Sequence, residues 1–242
     1  MEKEIEFPIR INRYLYKMGH CSRRQADDFI ERGLVKINGK NAVIGQKVEK
    51  NDSVEIKKEL QDLKKNFKYY IFNKPVGIVS HNPQRDKGEK SVEDVFKTSE
   101  QVFPIGRLDK DSEGLMLLTS DRRIVNKILN PDFAHEKEYD VLVDKDLKQS
   151  VTKKMSSGLN IEGYKTKQAR VKIIGNRKLN IVLTEGKKHQ IRRMCAALGY
   201  QVKKLKRKRI MHLKLGSLPV GEARELTFPE RKELLESIGI FK

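Results

Sequence analysis

At 242 residues, with 37% apolar and 35% charged side chains, the chain is long enough for one large domain or a small module plus a medium one, each with a proper core. No run approaches the roughly 18 apolar residues of a membrane span, and the start "MEKEIEFPIR" has no apolar signal-peptide core, so a cytoplasmic protein with no membrane partner is expected. Cys21 and Cys195 have neither disulfide nor zinc spacing, while a formal net charge of +19 points to a polyanionic partner.

Residues 9–57 read as a small module. Ile11, Leu15 and Met18 fall at helical spacing with Gly19 as a stop. Ser22 and Gln25 have capping-box spacing, ahead of an apolar stripe of Ala26, Phe29 and Ile30 that Gly33 ends. "LVKI" and "KNAVI" flank Asn38-Gly39, a pair suited to a type I′ hairpin, and "SVEI" at 53–56 supplies a further strand. Arg10, Arg13, Arg23 and Arg24 fall near the two helix starts, where the dipole favours phosphate. This helix pair with its Asn-Gly hairpin resembles the RNA-binding module first named for ribosomal protein S-four; a generic helix pair with surface arginines is the other reading. Charged residues around 57–66 suggest a linker, giving a division into residues 1–60, a joint at 61–67, and 68–242.

Beyond the joint, strand and helix signals alternate. "YYIFNKPVGIVS" predicts two strands broken at Lys74-Pro75, because proline cannot donate within a ladder. "SVEDVF" predicts a Ser-capped helix, "GLMLLTS" a buried strand, and "DRRIVNKIL" an Asp-capped helix. In "KEYDVLVD", Tyr139, Val141 and Val143 share one strand face. "VTKKMSSGL" predicts a helix, and "QARVKIIG" and "KLNIVLTEG" two paired strands. "KHQIRRMCAALG" is a helix with Ile191, Met194, Cys195 and Leu198 inward. "QVKKLKRKRIMHLKL" is extended, and "PERKELLESI" is a closing helix with Pro229 near its start. The expected class is α+β: a mixed sheet with flanking helices.

Chemistry concentrates in "GRLDKDSEG", a polar stretch bounded by Gly106 and Gly114 between apolar segments, and so a loop beside a sheet. An ionised Asp109 between cations can serve as nucleophile or base, whereas on composition alone it reads first as a turn aspartate capping backbone N–H groups. "GRLDKDSEGLMLLT", "HEKEYDV", "LTEGKKHQIRRM" and "VKKLKRKRI" occur in the order of the motifs of the RsuA/RluF family of pseudouridine synthases. The chain resembles that family along essentially its whole length, and within it most resembles the large-subunit rRNA synthase F subgroup.

That resemblance implies an S-four module followed by a catalytic domain with a largely antiparallel central sheet, no cofactor, no metal, and isomerisation of uridine in structured RNA. The substrate implied is a stem-loop of large-subunit rRNA, with a tRNA anticodon stem-loop as an additional one. Asp109 corresponds to the catalytic carboxylate, Arg192 to its ion-pair partner, Tyr139 to the tyrosine stacked on uracil, and Leu205 to an apolar residue against the base. Arg107, between Gly106 and Leu108, corresponds to the arginine that assists base extrusion, and Lys74 to support beneath the pocket. Lys187, Lys188, His189, Gln190 and Arg193 are expected to bind RNA. So are the bases from Lys203 to Arg209, because residues 186–214 hold eleven Lys or Arg and no acid. His81, His135 and His212 receive no role. A monomer is expected. A non-catalytic RNA-binding assembly protein is the competing reading, and the two part on Asp109.

Overall fold

The computed structural model describes residues 5–18, 20–21, 23–57 and 67–240. The predicted stop at Gly19, the Ser22 half of the capping box and residues 61–66 of the joint lie outside the described residues. The chain divides into two compact units, one running to Phe67 and including Asp121–Val125, the other comprising Lys68–Ser120 and Asn126 onward.

The first unit contains β1 (Ile9–Arg10), α1 (Ile11–Lys17), α2 (Arg23–Glu31), β2 (Val35–Ile37), β3 (Lys40–Asn41), β4 (Lys47–Val48) and β5 (Val54–Ile56). Ile11, Leu15, Ala26 and Ile30 pack with Val35 and Ile37 into its core. Met18 does not join that stripe. It follows the last turn of α1 and is 49% exposed. Asn38 and Gly39 both take positive φ, 51° and 76°, as a type I′ turn requires. The Asn38 amide donates to Asp52 at 2.8 Å and accepts from Ser53 N–H at 2.9 Å, tying the turn to the start of β5. The further strand expected at 53–56 is β5, which pairs antiparallel with β2. The β1–β4 pair is too short to leave a periodic signal.

The second unit contains β6 (Tyr69–Lys74), α3 (Val92–Val95), β7 (Phe103–Ile105), β8 (Glu113–Thr119), α4 (Arg123–Leu129), which begins in the other unit, β9 (Lys137–Val143), α5 (Ser150–Ser156), β10 (Asn160–Ile161) and β11 (Tyr164–Lys165). There follow β12 (Arg170–Gly175), β13 (Lys178–Leu183), α6 (Gln190–Ala197), β14 (Val202–Ile210), β15 (Leu213–Lys214), β16 (Ala223–Glu225) and α7 (Phe228–Ser237). Nine strands form one sheet in the order β12-β13-β9-β14-β8-β6-β16, with β7 beside β8 and β15 beside β14. The sheet is mixed: β14 and β8 run parallel, and the other pairs are antiparallel. Met116, Leu118, Val141, Leu179, Ile181, Met155 and Met194 pack into its core.

Two expectations need correction. The second half of "YYIFNKPVGIVS" is not a strand but a single bridge, Val79 to Ser91. The basic run 203–209 is not a free stripe, because β14 lies inside the sheet between β9 and β8. Alternation turns Leu205 and Arg207 inward, and Arg209 is held by Glu136 and Glu138 at 3.0 and 2.7 Å.

Candidate active site

β7 and β8 are antiparallel neighbours in register at Ile105 and Leu117, so residues 106–112 form the loop between them. Every carbonyl from Arg107 to Ser112 is engaged. Arg207 Nη1 donates to Arg107 O at 3.2 Å, and Ser80 Oγ donates to Leu108 O at 2.7 Å while accepting from Leu108 N–H at 2.9 Å. Lys74 Nζ donates to Asp109 O at 3.2 Å and Ser112 O at 2.8 Å, Gly77 N–H to Lys110 O at 2.8 Å, and Arg192 Nη2 to Asp111 O at 2.7 Å. The surrounding elements thus fix the loop by its main chain, which leaves Arg107, Asp109, Lys110 and Asp111 wholly or partly exposed.

Along this loop burial alternates: Arg107 is exposed, Leu108 buried, Asp109 partly exposed. Among the described residues the Asp109 carboxylate accepts no backbone N–H, so it is not a turn cap. Its one ion-pair neighbour there is His189, Nε2 to Oδ1 3.5 Å. His189 precedes α6 with φ of 52°, a left-handed conformation that costs a side-chain-bearing residue about 1 kcal/mol. The Arg107 guanidinium has no partner among the described residues.

A cleft of about 420 Å³ opens on the loop. Gly106, Arg107, Leu108, Asp109, Tyr139, Leu205, Lys187, Lys188, His189 and Gln190 all line it. Tyr139 and Leu205 are 9% and 5% exposed and give it an apolar wall. The Tyr139 hydroxyl bonds to no described residue. Lys137, which the sequence reading misses, also lines the cleft, as does Arg207, which it places only in a surface run of phosphate contacts. Arg207 is 3% exposed and spans from Leu115 O, 2.7 Å from its Nε, to the loop at Arg107 O. Its parity with Leu205 in a strand is the signal that could have found it; Ser80 leaves no such signal.

Several predicted site residues stand elsewhere or act differently. Arg192 makes no ion pair with Asp109: it grips Asp111 O, Ser112 Oγ at 3.2 Å and Val202 O at 3.4 Å, because α6 passes beside the far end of the loop. Gln190 is turned inward, donating to Glu185 at 2.6 Å and accepting from Lys187 N–H at 2.9 Å. Glu185 also accepts from the Tyr164 hydroxyl and from Lys167 N–H, so it anchors the stretch that presents Lys187 to His189. Arg193 is taken up by Glu162 at 2.6 Å. In the first unit, Arg10, Arg13, Lys17, Arg23 and Lys47 line a separate groove of about 360 Å³, and Arg24 does not.

A hairpin loop that carries an unshielded carboxylate into an apolar-walled, cation-rimmed cleft, in a chain with a basic helix-pair module, defines an RNA-modifying enzyme. Residues 68–197 match the family described as RNA pseudouridylate synthase, and residues 9–54 match the S4 domain. The chain belongs to the RNA pseudouridine synthases, isomerases that act on uridine in RNA. It is 44% identical over 233 residues to the dual-specificity RNA pseudouridine synthase RluF of Escherichia coli strain K12, covering 95% of this chain and 79% of that one. It is 37% identical to ribosomal large subunit pseudouridine synthase B of Bacillus subtilis, covering 93% and 95%. A crystal structure of a pseudouridylate synthase superposes with a TM-score of 0.69 at 29% identity, covering 93% of this chain and 99% of that one. Among the described residues no helix is long and apolar enough to cross a membrane.

Proposed function

We propose that this chain converts one uridine of a large-subunit rRNA stem-loop to pseudouridine, with a tRNA anticodon stem-loop as a second substrate. The relatives support this reading, one being called dual-specificity and the other a ribosomal large subunit enzyme. Residues 1–60 anchor structured RNA, 61–67 join the parts, and 68–242 carry the chemistry, in a cytoplasmic monomer.

The observation that carries the reading is the Asp109 carboxylate at a cleft walled by Tyr139 and Leu205. An extruded uridine, at a cost of about a few kcal/mol, places its base against the apolar wall and its ribose at Asp109. The carboxylate either attacks C1′ or removes the 2′ proton, and the bond from C1′ to N1 breaks. The freed uracil turns and C5 bonds to C1′ as the carboxylate either leaves C1′ or returns the proton to C2′; the C5 proton then leaves to solvent while N1 regains one. Tyr139 stacks on the uracil throughout. Arg107, exposed and without a partner among the described residues, occupies the space the base vacated, and Lys187, Lys188 and His189 take the adjoining phosphates. Arg192 acts on Asp109 through the loop rather than by contact.

RNA labelled with tritium at C5 of uridine tests this directly. The native chain releases tritium, while Asp109→Asn gives background release and binds the same RNA with native affinity. Equal release by the variant would remove Asp109 from the mechanism; shortened RNA or free uracil would point to hydrolysis instead.

A further inference from the structure

Phe133 is 48% exposed, yet the turn that carries it is tightly built. α4 ends at Leu129, and a single 3-10 turn, Pro131–Phe133, follows. Because Pro131 has no N–H, the Lys127 carbonyl lacks the donor that a continuing helix would supply four residues on. His135 Nε2 donates to that oxygen at 2.9 Å, which fixes the imidazole. Phe133 stacks on this ring, centroids 5.9 Å and planes 22° apart. Burial lowers the His135 pKa below its ordinary 6.5, so the supporting ring is neutral at neutral pH. The Asn130 side chain accepts from Asp132 N–H at 3.1 Å, and Ala134 N–H reaches Pro131 O at 3.2 Å. One face of the phenyl ring is left to solvent.

Position gives that face a use. Leu129, Asn130 and Pro131 line the cleft just before Phe133, and Lys137 lines it just after. Leu129, itself 41% exposed, packs on Gly106 so closely that a Cβ there would lie 2.9 Å from its Cδ2. The apolar rim therefore adjoins the loop of Arg107 and Asp109. Arg107, Lys137, Lys187 and Lys188 share the cleft. A neutral aromatic face among cations suits a nucleobase whose phosphates the cations neutralise better than it suits an apolar peptide.

We propose that Phe133, backed by His135, is a stacking platform for the base of a nucleotide flanking the target uridine. The platform holds that neighbour while the target is extruded, so it selects RNA in which the neighbour is itself free to unstack. The inference rests on Asp109 as the reaction centre.

Total RNA from cells lacking this gene, labelled with tritium at C5 of uridine, is the probe. Phe133→Ala lowers kcat/KM by about 5- to 150-fold, the range of one base–aromatic stack, chiefly through KM. Phe133→Tyr stays near native, whereas Phe133→Leu, which keeps apolar area without a π face, remains low. Ultraviolet cross-linking of the Asp109→Asn chain to the same RNA places a nucleotide adduct on the peptide containing Phe133. Native kcat/KM in Phe133→Ala, full recovery by Phe133→Leu, or adducts confined to other peptides would each overturn the platform. Tritium release by Asp109→Asn would overturn the reaction centre alone, since the Phe133 ratios and the adduct are read independently of it.

Discussion

Lys74 is fully buried, its ammonium among the carbonyl oxygens of Pro75, Asp109 and Ser112. Burial lowers its pKa from 10.5 to about 8, and Arg207 adds to the depression against the pull of Asp109. A depressed lysine pKa means that the folded chain binds fewer protons than the unfolded one between about 8 and 10.5. The cost of burying the charge is thus full below pH 8 and relieved as pH rises through that window. Urea unfolding of the native chain should show this upward slope, and Lys74→Met should lack it; matching slopes would contradict the assignment. The methionine also leaves carbonyls without a donor, destabilising the fold by about 3 kcal/mol and lowering kcat. The place of Asp109 at the cleft is legible in the sequence through its unbroken family motif, since its local composition alone favours a turn aspartate. Ser80, which bonds both the N–H and the carbonyl of Leu108, is not, because a serine after two apolar residues has no distinctive spacing.

Among elements, the parallel pairing of β8 with β14 sets the position of the loop. Gly114 enters β8 at φ of 112°, and a Cβ there would lie 2.3 Å from Arg207 O. Gly114→Ala should cost on the order of 3 kcal/mol and part these strands, which thermal unfolding would show as a lowered Tm. An unchanged Tm would mean that the contact yields easily. From α6, Arg192 reaches Asp111 O and Ser112 Oγ with Nη2 while Nη1 holds Val202 O, a planar fork between the loop and β14 that lysine cannot reproduce. Arg192→Lys should lower kcat by about 10- to 100-fold with KM nearly unchanged; a rise in KM alone would make Arg192 an RNA contact instead. Element types follow from periodicity for β9 and α6, whose apolar faces are long enough to repeat, and from an unbroken apolar run for β8. The two-residue strands are invisible to it. The cations of β14 mislead for a different reason: a basic run reads as surface, while two bulges and the partners Glu136 and Glu138 accommodate it within the sheet.

For the whole molecule, the +19 charge becomes specific only where cations lack acidic partners. In the first unit that condition is met along the groove of Arg10, Arg13, Lys17, Arg23 and Lys47, where among the described residues Glu6 is the one acid in the lining. Replacing Arg13, Arg23 and Lys47 by alanine should weaken RNA binding and flatten the log–log salt dependence by about 0.7 to 0.9 per lost phosphate contact, while the tritium-release rate at saturating RNA stays native. A native salt slope would show that the groove does not meet phosphate. The two-unit plan was legible in the Asn-Gly hairpin and the ordered motifs; which arginines share a groove was not, since that depends on the turn of α2 relative to β4. Lys74, Ser80, Arg207, Gly77 and Arg192 grasp the loop of Asp109 by its carbonyls, and Lys110 is tied to Glu89 at 2.8 Å, so the path of the loop does not depend on the side chain at Asp111. That position is open to substitution without displacing the Asp109 carboxylate, so relatives of this enzyme could acquire new RNA targets by rewriting it while the loop keeps its course.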